Sequence, residues 1–235
     1  MTETSSTPRV LIIAGSDSSG GAGIQADIKS CAAFGAYSAT AITAVTAQNT
    51  MGVQQVELMP GELVRAQIRS VLSDIGADVI KIGMLGSAEI IEVVAEEIEE
   101  SDAFIILDPV MVATSGDALL DKKAIETLKT KLLPLADLVT PNVPEAELLT
   151  GLKIDDVDDL TKAGDALLGM NVYAALMKGG HLRVNPLLMS WSPRRARISC
   201  QAPVFTRGIR TARAVRWQAV WRRVWRLARR SKKLS

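Results

Sequence analysis

The chain has 235 residues, 48% of them hydrophobic and 23% charged, which suits one large α/β domain with a sizeable buried core. No apolar stretch approaches the roughly 20 residues that span a bilayer, and the short polar segment 1–8 does not resemble a secretory signal. The two cysteines, Cys31 and Cys200, give neither a disulfide framework nor metal-ligand spacing. We therefore expect a cytoplasmic protein with a flexible N-terminus at residues 1–8.

The net charge of +1 conceals an uneven distribution along the chain. Residues 183–235 contain 15 of the 27 Lys and Arg residues, no Asp or Glu, and all four Trp residues. Residues 1–182 hold the other 12 basic residues and all 26 acidic residues. A break of this kind usually marks a domain boundary or an interaction tail.

Short apolar runs alternate with helical patterns along residues 9–182. The predicted strands are Arg9–Ala14, Tyr37–Thr46, Val53–Leu58, Val79–Gly83, Ala103–Leu107, Leu138–Thr140 and Val172–Met177. The predicted helices are Ala22–Phe34, Pro60–Ile75, Ser87–Glu100, Lys122–Leu133, Val143–Thr150 and Val157–Met170, with Ser87 as an N-cap. This alternation predicts βαβ units, and hence a mostly parallel sheet with helices on both faces, a three-layer αβα architecture.

Glycine-rich and polar segments follow the predicted strands, where parallel sheets bind their ligands. These segments are Gly15–Gly23, Gln48–Thr50, Met84, Asp108–Gly116 and Thr140–Glu145. In the first of them, glycines allow a ligand to approach the backbone, and the following helix offers free N–H groups. Its spacing is neither that of a dinucleotide-binding fingerprint nor that of a Walker loop.

The string Ala14–Lys29 resembles the opening motif of the hydroxymethylpyrimidine/phosphomethylpyrimidine kinases of thiamine biosynthesis, in the ribokinase-like superfamily. The further matching segments, in the family's order, are 34–37, 41–50, 81–85, 108–111, 115–117, 132–134, 140–146 and 177–181. They cover nearly all of residues 9–182. The resemblance implies a ribokinase-like fold and ATP-dependent phosphorylation of 4-amino-5-hydroxymethyl-2-methylpyrimidine and its monophosphate.

The same resemblance implies a set of pyrimidine contacts. These are Gly15, Asp27, Gln48, Met84 and Val110. The Gln48 amide has both a donor and an acceptor, so it can match an aminopyrimidine edge. Simpler interpretations stay open: Gln48 as a solvated loop residue, and Met84 and Val110 as core packing.

For the nucleotide, the resemblance implies that Lys178 lies near the ATP phosphates. It also implies that Asn142, Glu145 and Asp108 hold Mg²⁺, with Glu145 acting through water. The alternatives are that Glu145 is an acidic residue in the first turn of a helix and Lys178 an ordinary exposed charge. The only histidine, His181, receives no catalytic role.

Family members take their anion hole and proton acceptor from a late Gly-Thr-Gly-Cys segment. No such segment occurs here, so we assign no catalytic residue, and the resemblance stops after Leu182. Residues 183–235 could be a disordered extension. They could also be a basic nucleic-acid or membrane tail, because Trp217, Trp221 and Trp225 recur every four residues among arginines.

A frameshift explains more about residues 183–235 than either a disordered extension or a basic tail does. Permitted codons for Gly208–Trp217, read from the last base of the first codon, encode His-Thr-His-Gly-Thr-Gly-Cys-Thr-Leu. In the same way, Arg183–Ser190 can encode Gly-Glu-Pro-Val-Thr-Asp-Val. We therefore interpret residues 183–235 as the kinase C-terminus in another reading frame, following an incomplete kinase domain at 9–182. We expect these residues to supply none of the family's last strands, and the chain to have weak or no kinase activity.

Two other functions remain open on the sequence. One is a related pyridoxine or pyridoxal kinase, and the other is a non-catalytic binding protein with a basic tail. For the kinase we expect the pyrimidine alcohol and ATP as ligands, no nucleic-acid or membrane partner, and assembly into a homo-oligomer.

Overall fold

A computed structural model of the protein describes residues 7–111 and 119–179, and the backbone alone of residues 186–191 and 196–201. The strands are β1 (Arg9–Asp17), β2 (Tyr37–Asn49), β3 (Gly52–Leu58), β4 (Val79–Ile82), β5 (Phe104–Leu107), β6 (Leu138–Val139), β7 (Ala174–Lys178), β8 (Pro186–Trp191) and β9 (Ala196–Gln201). The helices are α1 (Gly23–Ala33), α2 (Gly61–Asp74), α3 (Ala88–Ile98), α4 (Lys122–Thr127), α5 (Val143–Thr150) and α6 (Val157–Leu168). Helix α4 continues into a π-helical turn at Leu128–Leu132 and a 3-10 turn at Leu133–Leu135.

The strands form one sheet in the order β3-β2-β1-β4-β5-β6-β7-β8-β9. From β2 to β7 every neighbouring pair is parallel, whereas β3, β8 and β9 pair antiparallel. The carboxyl ends of the parallel strands therefore meet along one edge of the sheet, which we call the carboxyl edge.

Alternate residues of the central strands enter two separate cores. In β4, Ile80 and Ile82 pack in the larger core with Val64 of α2 and Ile91 of α3. Val79 faces the opposite side, in a smaller core shared with Ile24 and Cys31 of α1. Helices therefore cover both faces of the sheet, and the predicted three-layer αβα architecture is confirmed.

Most predicted elements are present at close to their predicted bounds, and the Ser87 hydroxyl caps α3 by accepting from the Ile90 N–H. The predicted end of the first strand at Ala14 was three residues too early. Strand β1 continues through Asp17 after an irregularity at Ala14–Ser16. Likewise β2 runs on through Gln48 and Asn49, which pair with Val53 and Gly52 of β3. Backbone pairing with a neighbouring strand outweighs the turn preferences of these polar residues.

The expectation that residues 183–235 supply no strands is wrong for two segments. Strand β8 pairs antiparallel with β7, from Ala174 opposite Trp191 to Lys178 opposite Leu187, and β9 pairs with β8. The physical reason is that a sheet edge needs only backbone N–H and C=O groups as partners, which a short apolar run such as Leu187–Met189 can provide. The segment Gly208–Trp217, on which the frameshift interpretation rests, lies outside the described residues.

No helix in the described parts of the chain is both long enough and apolar enough to cross a membrane.

Candidate active site

The loop between β1 and α1 is organised around the buried carboxylate of Asp17. It accepts hydrogen bonds from the backbone N–H groups of Ser19, Gly21 and Ala22 at 2.8, 3.0 and 2.7 Å, and from the Ser19 hydroxyl. Burial alone raises the pKa of Asp17, but the hydrogen bonds from Ser19, Ala22 and Gly21 together hold that pKa below its usual value. Asp17 was not singled out from the sequence, although its place before a Ser/Gly run was a usable signal.

Gly15 and Met84, two of the predicted pyrimidine contacts, lie next to each other at the carboxyl edge. A Cβ atom added to Gly15 would lie 3.5 Å from the Met84 sulfur. The Thr43 hydroxyl donates a 2.6 Å hydrogen bond to the Met84 carbonyl and fixes the backbone there. Gly23 opens α1 at a φ of +54°, directly against the Gly15 carbonyl, so any side chain there would collide with it.

Gln48 lies at the end of β2, beside the same loop. The Ser18 hydroxyl donates to the Gln48 carbonyl and accepts from the Gln48 N–H, both at 2.8 Å. The side-chain oxygen of Gln48 accepts from the Thr46 hydroxyl at 3.2 Å. The residue is half-buried and lies in β2 rather than in a loop, and its contact with a pyrimidine stays a prediction.

Asp27 projects from α1 into a buried ion pair with Lys81 of β4, at 2.6 Å. The two side chains are 10% and 7% exposed. Burial lowers the pKa of Lys81, but the charges of Asp27 and Asp108 outweigh it, and the net result is a raised pKa. Burial, with the Asp27 charge, also raises the pKa of the neighbouring Cys31 thiol to about 11. Lys81 was not singled out from the sequence, although a lysine inside the apolar strand Val79–Ile82 was a clear signal of a buried ion pair.

Lys178 at the end of β7 joins the residues predicted for the nucleotide side. Its ammonium lies 2.7 Å from an Asp108 oxygen and 3.8 Å from a Glu145 oxygen. The Thr140 hydroxyl donates to the same Asp108 carboxylate at 3.0 Å. Burial raises the pKa of Asp108, but Lys178 and Lys81 together lower it below its usual value. Lys178 is thus half-buried between two carboxylates rather than an ordinary exposed charge.

Asn142 and Glu145 form a capping box at the start of α5. The Asn142 side chain accepts from the Glu145 N–H at 2.9 Å, and the Glu145 carboxylate accepts from the Asn142 N–H at 2.7 Å. The helix-terminal interpretation of Glu145 is therefore correct. It does not exclude a metal role, since a carboxylate has several acceptor positions.

The carboxylates of Asp108 and Glu145 suit Mg²⁺ bound through water. Asp108 and Glu145 share one cation, the Lys178 ammonium, so the donor set already matches a positive charge. Within residues 7–111 and 119–179, no group of three or more His, Cys, Asp or Glu side chains could hold a metal directly. Mg²⁺ commonly binds through one or two carboxylates, water and substrate phosphates, and needs no such cluster.

Val110, the remaining predicted pyrimidine contact, lies two residues after Asp108 and is half-buried. Its N–H donates to the Asp108 carbonyl at 2.8 Å, which ties it to the end of β5. The matched segment 115–117 and His181 lie outside the described residues.

The fold and the polar carboxyl edge define the class of ribokinase-like small-molecule kinases. A crystal structure of phosphomethylpyrimidine kinase from Clostridium difficile superimposes with a TM-score of 0.80 at 39% identity, covering 92% of this chain and 97% of that one. An ADP complex of pyridoxal kinase from Bacillus subtilis gives a TM-score of 0.77 at 31% identity, covering 88% of this chain and 79% of that one.

Sequence comparison identifies the family within the ribokinase-like kinases. The family model described as phosphomethylpyrimidine kinase matches residues 17–197, so the expectation that the resemblance stops after Leu182 is wrong for residues 183–197. The hydroxymethylpyrimidine/phosphomethylpyrimidine kinase of Streptomyces coelicolor is 51% identical over 175 residues, which are 74% of this chain and 65% of that protein. The chain belongs to the phosphomethylpyrimidine kinase family. It spans less than two thirds of the length of that relative.

Proposed function

We propose that this chain is derived from an enzyme that phosphorylates 4-amino-5-hydroxymethyl-2-methylpyrimidine and its monophosphate with ATP, in thiamine biosynthesis. The observation that carries the proposal is the division of the carboxyl edge into two parts. Gly15 and Met84 lie together beside the glycine-rich loop after β1, and Gln48 is hydrogen-bonded to the same loop, where a small ring can be recognised. The charged group around Lys178 suits phosphates instead.

On the pyrimidine side, glycine backbone and the Met84 side chain would contact the ring, and the Gln48 amide would hydrogen-bond to its polar edge. Asp27, held by Lys81, and Val110 would complete that side. Because phosphoryl transfer depends mostly on positioning and charge, the fixed loop and strand ends are suitable supports.

On the nucleotide side, Lys178 would donate to the ATP phosphates, leaving Asp108 and Glu145 to balance a cation. Mg²⁺, when bound there through water, would neutralise charge that develops on the phosphates. The substrate hydroxyl also needs a proton acceptor, and the described residues provide no assigned group for that role.

We also propose that residues 183–235 are read out of frame, so that this chain retains the pyrimidine side but lacks the anion hole and acceptor. The experiment compares the chain as given with one whose reading frame is restored near codon 183. Calorimetry with the pyrimidine alcohol measures binding, and ADP formation measures turnover. We expect both proteins to bind the alcohol and only the restored protein to form ADP. Normal turnover by the unrestored chain would refute the frameshift proposal.

A pyridoxal-type kinase is the second candidate, favoured by the similarity to the Bacillus subtilis pyridoxal kinase. ADP formation by the restored protein with the pyrimidine alcohol, pyridoxal and pyridoxine in parallel separates the two. A third candidate is a non-catalytic protein with a basic tail. Salt-sensitive nucleic-acid binding that disappears on deletion of residues 183–235 would support it.

We further propose a cytoplasmic homo-oligomer, on the strength of the family resemblance. Strand β3 ends the sheet with Val56 and Leu58 exposed, and Val45 of β2 is exposed beside them. Light scattering of the restored protein tests the assembly, and a monomer would contradict it.

A further inference from the structure

Two hydroxyl groups hydrogen-bond to Gln48, that of Ser18 to its backbone and that of Thr46 to its side chain, and neither residue is among the predicted pyrimidine contacts. Ser18, in the loop after β1, fixes the Gln48 backbone by donating to its carbonyl and accepting from its N–H. A single hydroxyl thus satisfies a backbone donor and a backbone acceptor of one residue. This contact ties the end of β2 to the glycine-rich loop.

Thr46 acts on the side chain of the same residue. Its buried hydroxyl, on β2, lies 3.2 Å from the Gln48 side-chain oxygen and 3.0 Å from the Ser16 carbonyl of β1. Because a hydroxyl carries one proton, Thr46 shares it between these two acceptors, and the contact with Gln48 is the longer of the two. With Oε1 facing Thr46, the Nε2 group is the end of the amide that is left for a ligand. Among the described residues, no hydrogen bond from Gln48 Nε2 accompanies these contacts.

We propose that Ser18 and Thr46 are positioning residues that hold the Gln48 amide with its N–H₂ group towards the ligand. The inference rests on the proposed function and adds a chemical requirement to it. A ligand read by this amide must present an acceptor, such as a ring nitrogen, at that position. An acceptor-only side chain at residue 48 would not meet the requirement.

Two readouts test the proposal on the full chain. The first is the side-chain amide signal of Gln48 in ¹⁵N NMR spectra, assigned by its loss in Gln48→Leu, which needs no ligand. The second is the affinity for the pyrimidine alcohol, measured by calorimetry. The variants are Thr46→Val, Thr46→Ser and Ser18→Ala. Thr40→Val makes the same chemical change elsewhere on β2, where the side chain makes no hydrogen bond to Gln48.

We expect Thr46→Val and Ser18→Ala to shift the Gln48 amide signal and to weaken binding about five- to tenfold, as for the loss of one net hydrogen bond. Thr46→Ser keeps the hydroxyl and should restore both readouts, and Thr40→Val should change neither. Gln48→Glu should abolish measurable binding, because it removes the donor.

Different results would contradict the positioning role, the orientation of the amide and the proposed function. Wild-type affinity and an unshifted amide signal in Thr46→Val would overturn the positioning role, and full binding by Gln48→Glu would overturn the N–H₂ orientation. If the unaltered chain binds no pyrimidine alcohol while its amide signal still responds to Thr46→Val, the proposed function fails and the hydroxyl contacts stand.

Discussion

The first prediction concerns how much the buried Asp27–Lys81 ion pair contributes to the free energy of unfolding. Replacing Lys81 with Met keeps a chain of similar length in the smaller core but removes the charge. Asp27 would then be a carboxylate that is 10% exposed, without the cation that lies 2.6 Å away in the structure. Removing one partner of a buried pair typically destabilises a protein by about 3–5 kcal/mol, since the remaining charge is desolvated and uncompensated.

For a domain of this size, roughly 2–4 °C of melting temperature corresponds to 1 kcal/mol. Lys81→Met should therefore lower the midpoint by about 6–20 °C in thermal unfolding monitored by circular dichroism. The double variant Asp27→Asn/Lys81→Met removes both charges, and we expect it to regain much of the loss. A double-mutant cycle with Asp27→Asn isolates the coupling between the two side chains.

The reasoning is refuted if Lys81→Met unfolds within about 1 kcal/mol of the unaltered chain, because such a value is typical of an exposed pair. It is also refuted if the double variant is no more stable than Lys81→Met, since the loss would then come from packing rather than from an unpaired charge.

Two further predictions concern the loop after β1. Asp17→Asn should destabilise the chain at neutral pH, because folding lowers the pKa of Asp17. The carboxylate therefore stabilises the fold above the pKa that Asp17 has in the unfolded chain. This stabilisation is lost as the pH falls through the pKa that Asp17 has in the folded chain. The stability difference between the two proteins in urea titrations should thus shrink below about pH 4, and a constant difference would contradict this. Gly23→Ala should destabilise by more than about 1–3 kcal/mol, because it combines a positive φ with a collision at the Gly15 carbonyl. Gly35→Ala is the matched control, with a φ of +69° and no atom within 4 Å of the added Cβ; an equal loss in both variants would show that the collision has no effect.

Much of the fold could be predicted from the sequence because apolar periodicity and capping residues are local signals. Ser87 was recognisable as an N-cap from its position alone, and the structure has it accepting the Ile90 N–H. The carboxyl edge was predictable for a related reason: once strands and helices alternate, the residues after each strand must meet. The Asp108, Glu145 and Lys178 group follows from that rule together with the family resemblance.

What the sequence did not reveal depends on contacts between distant residues. The buried ion pair of Lys81 joins it to Asp27, which lies 54 positions away on α1, on the same face of the sheet. Ser18 and Gln48 are 30 positions apart and meet only because β1 and β2 are neighbours. Periodicity and turn chemistry carry no information about such pairs, so the hydrogen bonds that orient Gln48 could not be derived from them.

Strands β8 and β9 show that a continuous sheet does not by itself test the frameshift proposal. Antiparallel pairing with β7 uses backbone groups that every residue other than proline carries in full, so many different sequences can form a strand there. Phosphoryl transfer instead needs particular donors and an acceptor at fixed positions, and the proposed change of reading frame would replace every one of those side chains. A sheet extended through residue 201 is therefore compatible with a frameshift near codon 183. An in-frame and an out-of-frame C-terminus would differ most clearly at residues 208–217, where restoring the proposed frame would encode a Gly-Thr-Gly-Cys segment.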